Sequence, residues 1–142
     1  MTPMPATTVP DPTAAELIAG RPHLAMHAMD GLLIDEVPLN AIADAIGTPV
    51  WVYSASAIRR RYRFLTSALS DAGVDAHVHY AVKANDRLAV LRLLAAEGAG
   101  ADVVSEGELR RAREAGIRVE KIVFSGVGKT CLLYTSPSPR DS

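Results

Sequence analysis

The sequence predicts an α/β chain that opens a parallel sheet larger than the chain itself. Three observations carry this. From Asp75 onward, short β-rich runs alternate with amphipathic stretches, a beat that signals parallel βα units joined by right-handed crossovers. Of 142 residues, 49% are apolar, enough to bury a core. Three short strands also leave bare sheet edges, which a finished domain would cover.

Pro3, Pro5, Pro10 and Pro12 stand among Thr and Ala, a composition that blocks hydrogen-bonded structure and offers little to bury. Residues 1–22 are therefore predicted to be a disordered tail. Gly31 to Val37 (GLLIDEV) is an apolar run bounded by Gly31 and Pro38 and predicts a strand. Leu39, Ile42, Ala43 and Ile46 recur at helical spacing, with Gly47 and Thr48-Pro49 as the stop. Val50 to Tyr53 (VWVY), β-branched and aromatic, predicts a second strand. Residues 23–54 thus form a strand-helix-strand segment ahead of the parallel part.

Ile58, Tyr62, Leu65 and Leu69 make one apolar helical stripe, and Arg59, Arg60, Arg61 and Arg63 lie off it. His77 to Lys83 (HVHYAVK) predicts the first parallel strand, and Leu88, Leu91, Leu94 and Ala95 a helix that Gly98 to Gly100 breaks. Ala101 to Val104 is the second strand, Glu106 to Ala115 a helix closed by Gly116, and Lys121 to Phe124 the third strand. A complete TIM-type (β/α)8 barrel needs about 250 residues. Residues 55–130 are accordingly expected to be an incomplete barrel, its first three βα units. Cys131 to Ser142 (CLLYTSPSPRDS) breaks the beat, with Pro137 and Pro139 in a Ser-rich run. It resembles the translation of a transposase-type sequencing adapter, so residues 131–142 are expected to be a non-native scar, the natural part of this chain running to about Thr130 with more of the protein following it.

Charge and composition remove several function classes. Lys plus Arg number 15 against 16 Asp plus Glu, a formal net charge of -1, which leaves no excess to hold a phosphate backbone. No nucleic-acid partner is expected. The lone Cys131 forms no internal disulfide and builds no cysteine-ligated zinc site. No run approaches the roughly 18 apolar residues of a membrane span, and the first residues lack the charged and apolar regions of a secretion signal. No membrane partner is expected, and a reducing, cytoplasmic setting fits.

The most informative stretch is Tyr80-Ala81-Val82-Lys83-Ala84-Asn85. Period-two alternation puts Val78, Tyr80 and Val82 on one face of the strand, and His77, His79, Ala81 and Lys83 on the other. With the first set packed under helices, Lys83 points into a barrel lumen from the carboxyl end of its strand, where barrel enzymes keep their active sites. Partial desolvation there would favour the neutral amine that attacks a carbonyl. Small Ala81 leaves room for a flat ring. The plainer alternative is that Lys83 ends a strand and extends to water.

YAVKAN resembles the cofactor-lysine motif of the pyridoxal-phosphate decarboxylases of the alanine-racemase-like fold. Gly31 to Leu33 (GLL), Ala45 to Tyr53 (AIGTPVWVY), Gly98 to Leu109 (GAGADVVSEGEL) and Phe124 to Thr130 (FSGVGKT) follow the order seen in the diaminopimelate decarboxylase family. The resemblance covers about residues 30 to 130. It implies that Lys83 forms the internal Schiff base with pyridoxal phosphate, and that Asp102 is the family's aspartate near that lysine. It further implies a carboxy-lyase that releases carbon dioxide from a small amino-acid substrate in the last step of lysine biosynthesis. The full-length protein would be a homodimer, and residues 23–54 part of a β-rich second domain. The resemblance places the rest of the apparatus beyond Thr130, so the 142-residue chain is expected to be inactive alone.

Glu108 also fits the family's pattern, but Ser105-Glu106-Gly107-Glu108 is an S-x-x-E capping box, and a structural role competes. Glu106 is a departure, because the pattern more often has a small residue there; a negative charge at a helix N-terminus is tolerable. Gly126 to Thr130 (GVGKT) fails as a phosphate loop, since Val123 stands where the motif needs glycine. The arginines from Arg59 to Arg63 read as a solvated helix face. His77 and His79 lack further ligands at metal spacing, and His23 and His27 receive no role.

Overall fold

The structure is a computed structural model and describes residues 11–126. The expectations for residues 1–10 and 127–142, including the scar and most of GVGKT, lie outside the described residues. The chain divides into two compact units between Ser54 and Ala55.

In the first unit, α1 (Ala14–Ile18) falls inside the stretch predicted to be tail. Its turn forms because Thr13 and Glu16 make a capping box. The Thr13 hydroxyl accepts from the Glu16 N–H at 3.3 Å, and the Glu16 carboxylate accepts from the Thr13 N–H at 2.7 Å. The strands β1 (Leu24–His27), β2 (Gly31–Ile34) and β3 (Val37–Pro38) form an antiparallel meander. The run predicted as one strand from Gly31 to Val37 is thus a hairpin. Ile34 pairs with Val37, leaving Asp35 and Glu36 as a two-residue turn with φ of 47° and 67°. Two positive φ values are the type I′ signature, whose twist matches the flanking strands.

Asp35 is held by Ser54, whose Oγ donates to both carboxylate oxygens at 3.0 and 2.9 Å. Glu36 is exposed. A left-handed L-residue costs roughly 1–2 kcal/mol, and glycine gives back about 0.5–1 of that in chain entropy. Glu36→Gly should therefore stabilise the full-length protein by about 0.5–1 kcal/mol in urea unfolding. A loss of stability would count against the turn assignment.

The helix α2 (Leu39–Ile46) has the predicted limits, and Gly47 caps it with an N–H donated to Ala43 O. Val50 to Tyr53 is not a strand. Its β propensity finds no surface to pack on: Trp51 is 88% exposed and Tyr53 57%.

The second unit runs α3 (Ala55–Asp71), β4 (His79–Ala81), α4 (Leu88–Ala96), β5 (Gly100–Val103), α5 (Glu106–Glu114) and β6 (Ile122–Phe124). The sheet order is β4-β5-β6, all parallel. Alternation decides what each strand buries. Ala101 and Val103 of β5 and Ile122 and Phe124 of β6 are inaccessible, packed with Val82, Leu91, Ala112 and Ile117, while Tyr80 lies against them. A satellite cluster of Val90, Leu94 and Ala99 receives Ile58 and Tyr62 from α3.

Two of the arginines predicted to be merely solvated tie α3 to α4. Arg63 donates from Nε and Nη2 to the two Glu97 oxygens at 2.6 and 2.8 Å, and Arg59 Nε stands 3.6 Å away. The Arg63 hydrogen bonds hold the Glu97 carboxyl below its ordinary range. Among the described residues, no helix is long and apolar enough to cross a membrane.

Candidate cofactor site at the strand ends

The parallel register places Ala81, Asp102 and Val123 side by side, one from each strand, on the face turned away from the core. Ala81 and Asp102, both candidates from the sequence, are therefore neighbours. The small Ala81 side chain keeps that row shallow beside the Asp102 carboxylate.

Lys83 comes directly after, but not as the end of a strand. β4 stops at Ala81, and Val82 to Ala84 form one 3-10 turn. Val82 is fully buried and anchors that turn in the core. After it, Asn85 donates its N–H to Val82 O at 3.1 Å, and its side-chain oxygen accepts from the Arg87 N–H at 3.1 Å. Arg111 on α5 donates to Asp86 at 2.6 Å. The segment carrying Lys83 is thus secured on both sides. Lys83 itself is exposed and makes no hydrogen bond or ion pair among the described residues. Three strands do not by themselves enclose a lumen around it.

Glu108 is occupied by the helix start. Its N–H donates to Ser105 Oγ at 3.3 Å, and its carboxylate accepts from the Val104 N–H at 2.9 Å. This is the capping arrangement displaced by one residue, since the reciprocal bond reaches Val104 rather than Ser105. The unusual Glu106 pairs with Arg110 one turn along, at 2.5 Å.

Ser125 belongs to the FSGVGKT patch but has no role predicted from sequence. Its hydroxyl donates to Asp102 Oδ1 at 2.5 Å. A hydroxyl-bearing residue directly after the third strand is the available signal; only the parallel register reveals its partner.

At the opposite, amino-terminal end of the sheet, the His79 ring lies over Gly100. A Cβ at Gly100 would stand 2.5 Å from His79 Cδ2 and 2.6 Å from the Lys121 carbonyl oxygen. His77 and His79 interact through the His77 carbonyl oxygen, 3.2 Å from His79 Nδ1. A cavity of ≈ 280 Å³ opens there, lined by Tyr62, Thr66, His77, His79 and Lys121 among others. It is remote from Lys83. Gly100→Ala in the full-length protein should cost about 1–3 kcal/mol in urea unfolding, the penalty of overpacking against backbone. A neutral result would mean that β5 and β6 are not this close.

The donor set suits a flat aldehyde-bearing cofactor: an unengaged primary amine, a carboxylate in the adjacent row and a methyl-sized side chain beside them. Known proteins point the same way. The family model of the pyridoxal-binding domain of pyridoxal-dependent decarboxylases matches residues 55–132. Diaminopimelate decarboxylase of Zymomonas mobilis is 54% identical over 100 residues, covering 70% of this chain and 24% of that protein. The Aquifex aeolicus diaminopimelate decarboxylase is 48% identical over 99 residues, covering 70% and 23%.

Among solved structures, the M. jannaschii diaminopimelate decarboxylase in complex with L-lysine matches with a TM-score of 0.70 and 36% identity, over 77% of this chain and 26% of that one. A Vibrio vulnificus lysine/ornithine decarboxylase in complex with putrescine matches with a TM-score of 0.59 and 28% identity, over 65% and 24%. The chain spans about a quarter of the length of the curated relatives it matches. With a family model covering more than half of its residues and carrying Ala81, Lys83 and Asp102, the chain belongs to the pyridoxal-dependent decarboxylases, in their pyridoxal-binding domain.

Proposed function

We propose that the full-length protein decarboxylates meso-2,6-diaminopimelate at its D-configured carbon, giving L-lysine and carbon dioxide. The observation that carries this reading is the convergence of Ala81, Asp102 and the Lys83 turn at the ends of parallel strands, within the matched domain. The identity to relatives named diaminopimelate decarboxylase supports the substrate.

Lys83 would hold pyridoxal phosphate through its side-chain amine. Ala81 leaves the space for the ring. Asp102 presents a carboxylate beside Ala81, in the row that precedes Lys83. When bound, the cofactor supplies the electron sink for the pair left on carbon as the carboxylate departs. The protein's part is attachment, orientation and charge.

On this reading the three βα units begin an eight-unit barrel, and residues 23–54 join a β-rich domain completed by later sequence. The full-length protein is a cytoplasmic homodimer, residues 131–142 are foreign, and the 142-residue chain alone is inactive. Carbon dioxide release from meso-diaminopimelate, ornithine, arginine and carboxynorspermidine by the full-length protein tests the substrate. A preference of at least about tenfold in kcat/KM for diaminopimelate is expected, a difference of about 1.4 kcal/mol at the transition state. Preference for one of the others would assign the chain to a sibling decarboxylase. No release from any, with salt-dependent retention on heparin through Arg59 to Arg63, would make it a binding module.

A further inference from the structure

Ser125 leaves β6 with its N–H donated to Val103 O at 3.0 Å, which continues the β5–β6 ladder beyond its last paired residues. That bond carries the hydroxyl to Asp102, and the 2.5 Å Oγ–Oδ1 separation is the length of a charge-assisted O–H···O⁻ bond. The chain behind it has no slack. A Cβ at Gly126 would stand 2.5 Å from Val104 O and 2.8 Å from the Phe124 ring, so the backbone here runs pressed against both. Among the described residues, Asp102 Oδ2 makes no hydrogen bond.

We propose that Ser125 is a positioning residue of the cofactor site, holding Asp102 by one oxygen and thereby fixing the direction in which the other is presented. A carboxylate without this tether turns about two side-chain bonds. With it, the orientation is set before any ligand arrives, so binding does not have to supply that order. The inference rests on the proposed role of Asp102 beside the cofactor, and it concerns a side chain that acts through Asp102.

The test uses the full-length protein with Ser125→Ala, Ser125→Thr, Asp102→Ala and the double variant Ser125→Ala/Asp102→Ala. The readouts are the dissociation constant of pyridoxal phosphate from the apoprotein, the pH midpoint of the bound cofactor's visible absorption, and kcat and KM. Ser125→Ala should weaken cofactor binding about five- to tenfold, the scale of one hydrogen bond. It should also shift the pH midpoint and lower kcat more than it raises KM. Ser125→Thr, which keeps the hydroxyl, should restore all three.

In the Asp102→Ala background, where no side-chain acceptor remains for the Ser125 hydroxyl, Ser125→Ala should change nothing further. Wild-type affinity and titration in Ser125→Ala would overturn the proposal. So would an undiminished effect in the Asp102→Ala background, which would give the hydroxyl a direct contact instead. Failure of the wild-type protein to retain pyridoxal phosphate would overturn the proposed function as well. Retention on Lys83 with a silent Ser125→Ala would overturn this inference alone.

Discussion

Lys83→Met in the full-length protein is expected to abolish covalent retention of pyridoxal phosphate and to lower turnover at least about 1,000-fold, as the loss of an attacking group does. Methionine keeps an unbranched side chain of similar reach but has no amine. The turn that carries the residue does not depend on its side chain: Val82 anchors it in the core, and Asn85 and Asp86 secure the chain beyond it. The fold should survive, and the loss should be chemical. Borohydride reduction and then peptide mass mapping should place an adduct on the Lys83 peptide of the wild-type protein and none in the variant. An adduct on Lys121 would move the site to the other end of the sheet and end the present assignment.

Phe124→Ala should destabilise the full-length protein by about 3–5 kcal/mol, the range for emptying an aromatic site in a core. Phe124 is 1% exposed and packs in the main core with Val103, Ile122 and Ala112. The loss is a large fraction of the roughly 5–15 kcal/mol that holds a domain together. Urea unfolding should show a lower midpoint with an unchanged slope. Val123→Ala is the control, because Val123 is half-buried in the row with Asp102. It should cost less than about 1.5 kcal/mol, with cofactor retention the more sensitive readout. Equal destabilisation by both would refute the assignment of the two faces.

The sequence discloses most where hydrophobic period and burial coincide. The α2 stripe gives its limits, and alternation from Val78 to Val82 separates the residues that meet the core from those that meet Asp102. It discloses less where backbone geometry prevails over composition. The LAMH run of β1 has only Leu24 partly buried, so it carries no period-two signal. Asp35-Glu36 makes its turn without the glycine that usually marks one, so the hairpin reads as a single strand. Val50 to Tyr53 has strand-forming residues but no partner strand among the described residues.

For the candidate site, motif and alternation single out Ala81, Lys83 and Asp102, and the S-x-x-E spacing already offers a structural role for Glu108. The 3-10 turn under Lys83 is hidden because three residues of VKA read equally well as strand. Ser125 is hidden because its partner is 23 positions away.

The alternation along β5 also limits how this stretch can drift over generations. Ala101 lies in the interior and Asp102 on the opposite side, one residue apart. Adding or deleting a single codon inside the strand would exchange them, driving a carboxylate into oil and presenting a methyl where charge is wanted. Length changes are therefore tolerable in the links between units, such as Gly116 to Arg118, while the staves themselves accept replacements but not insertions.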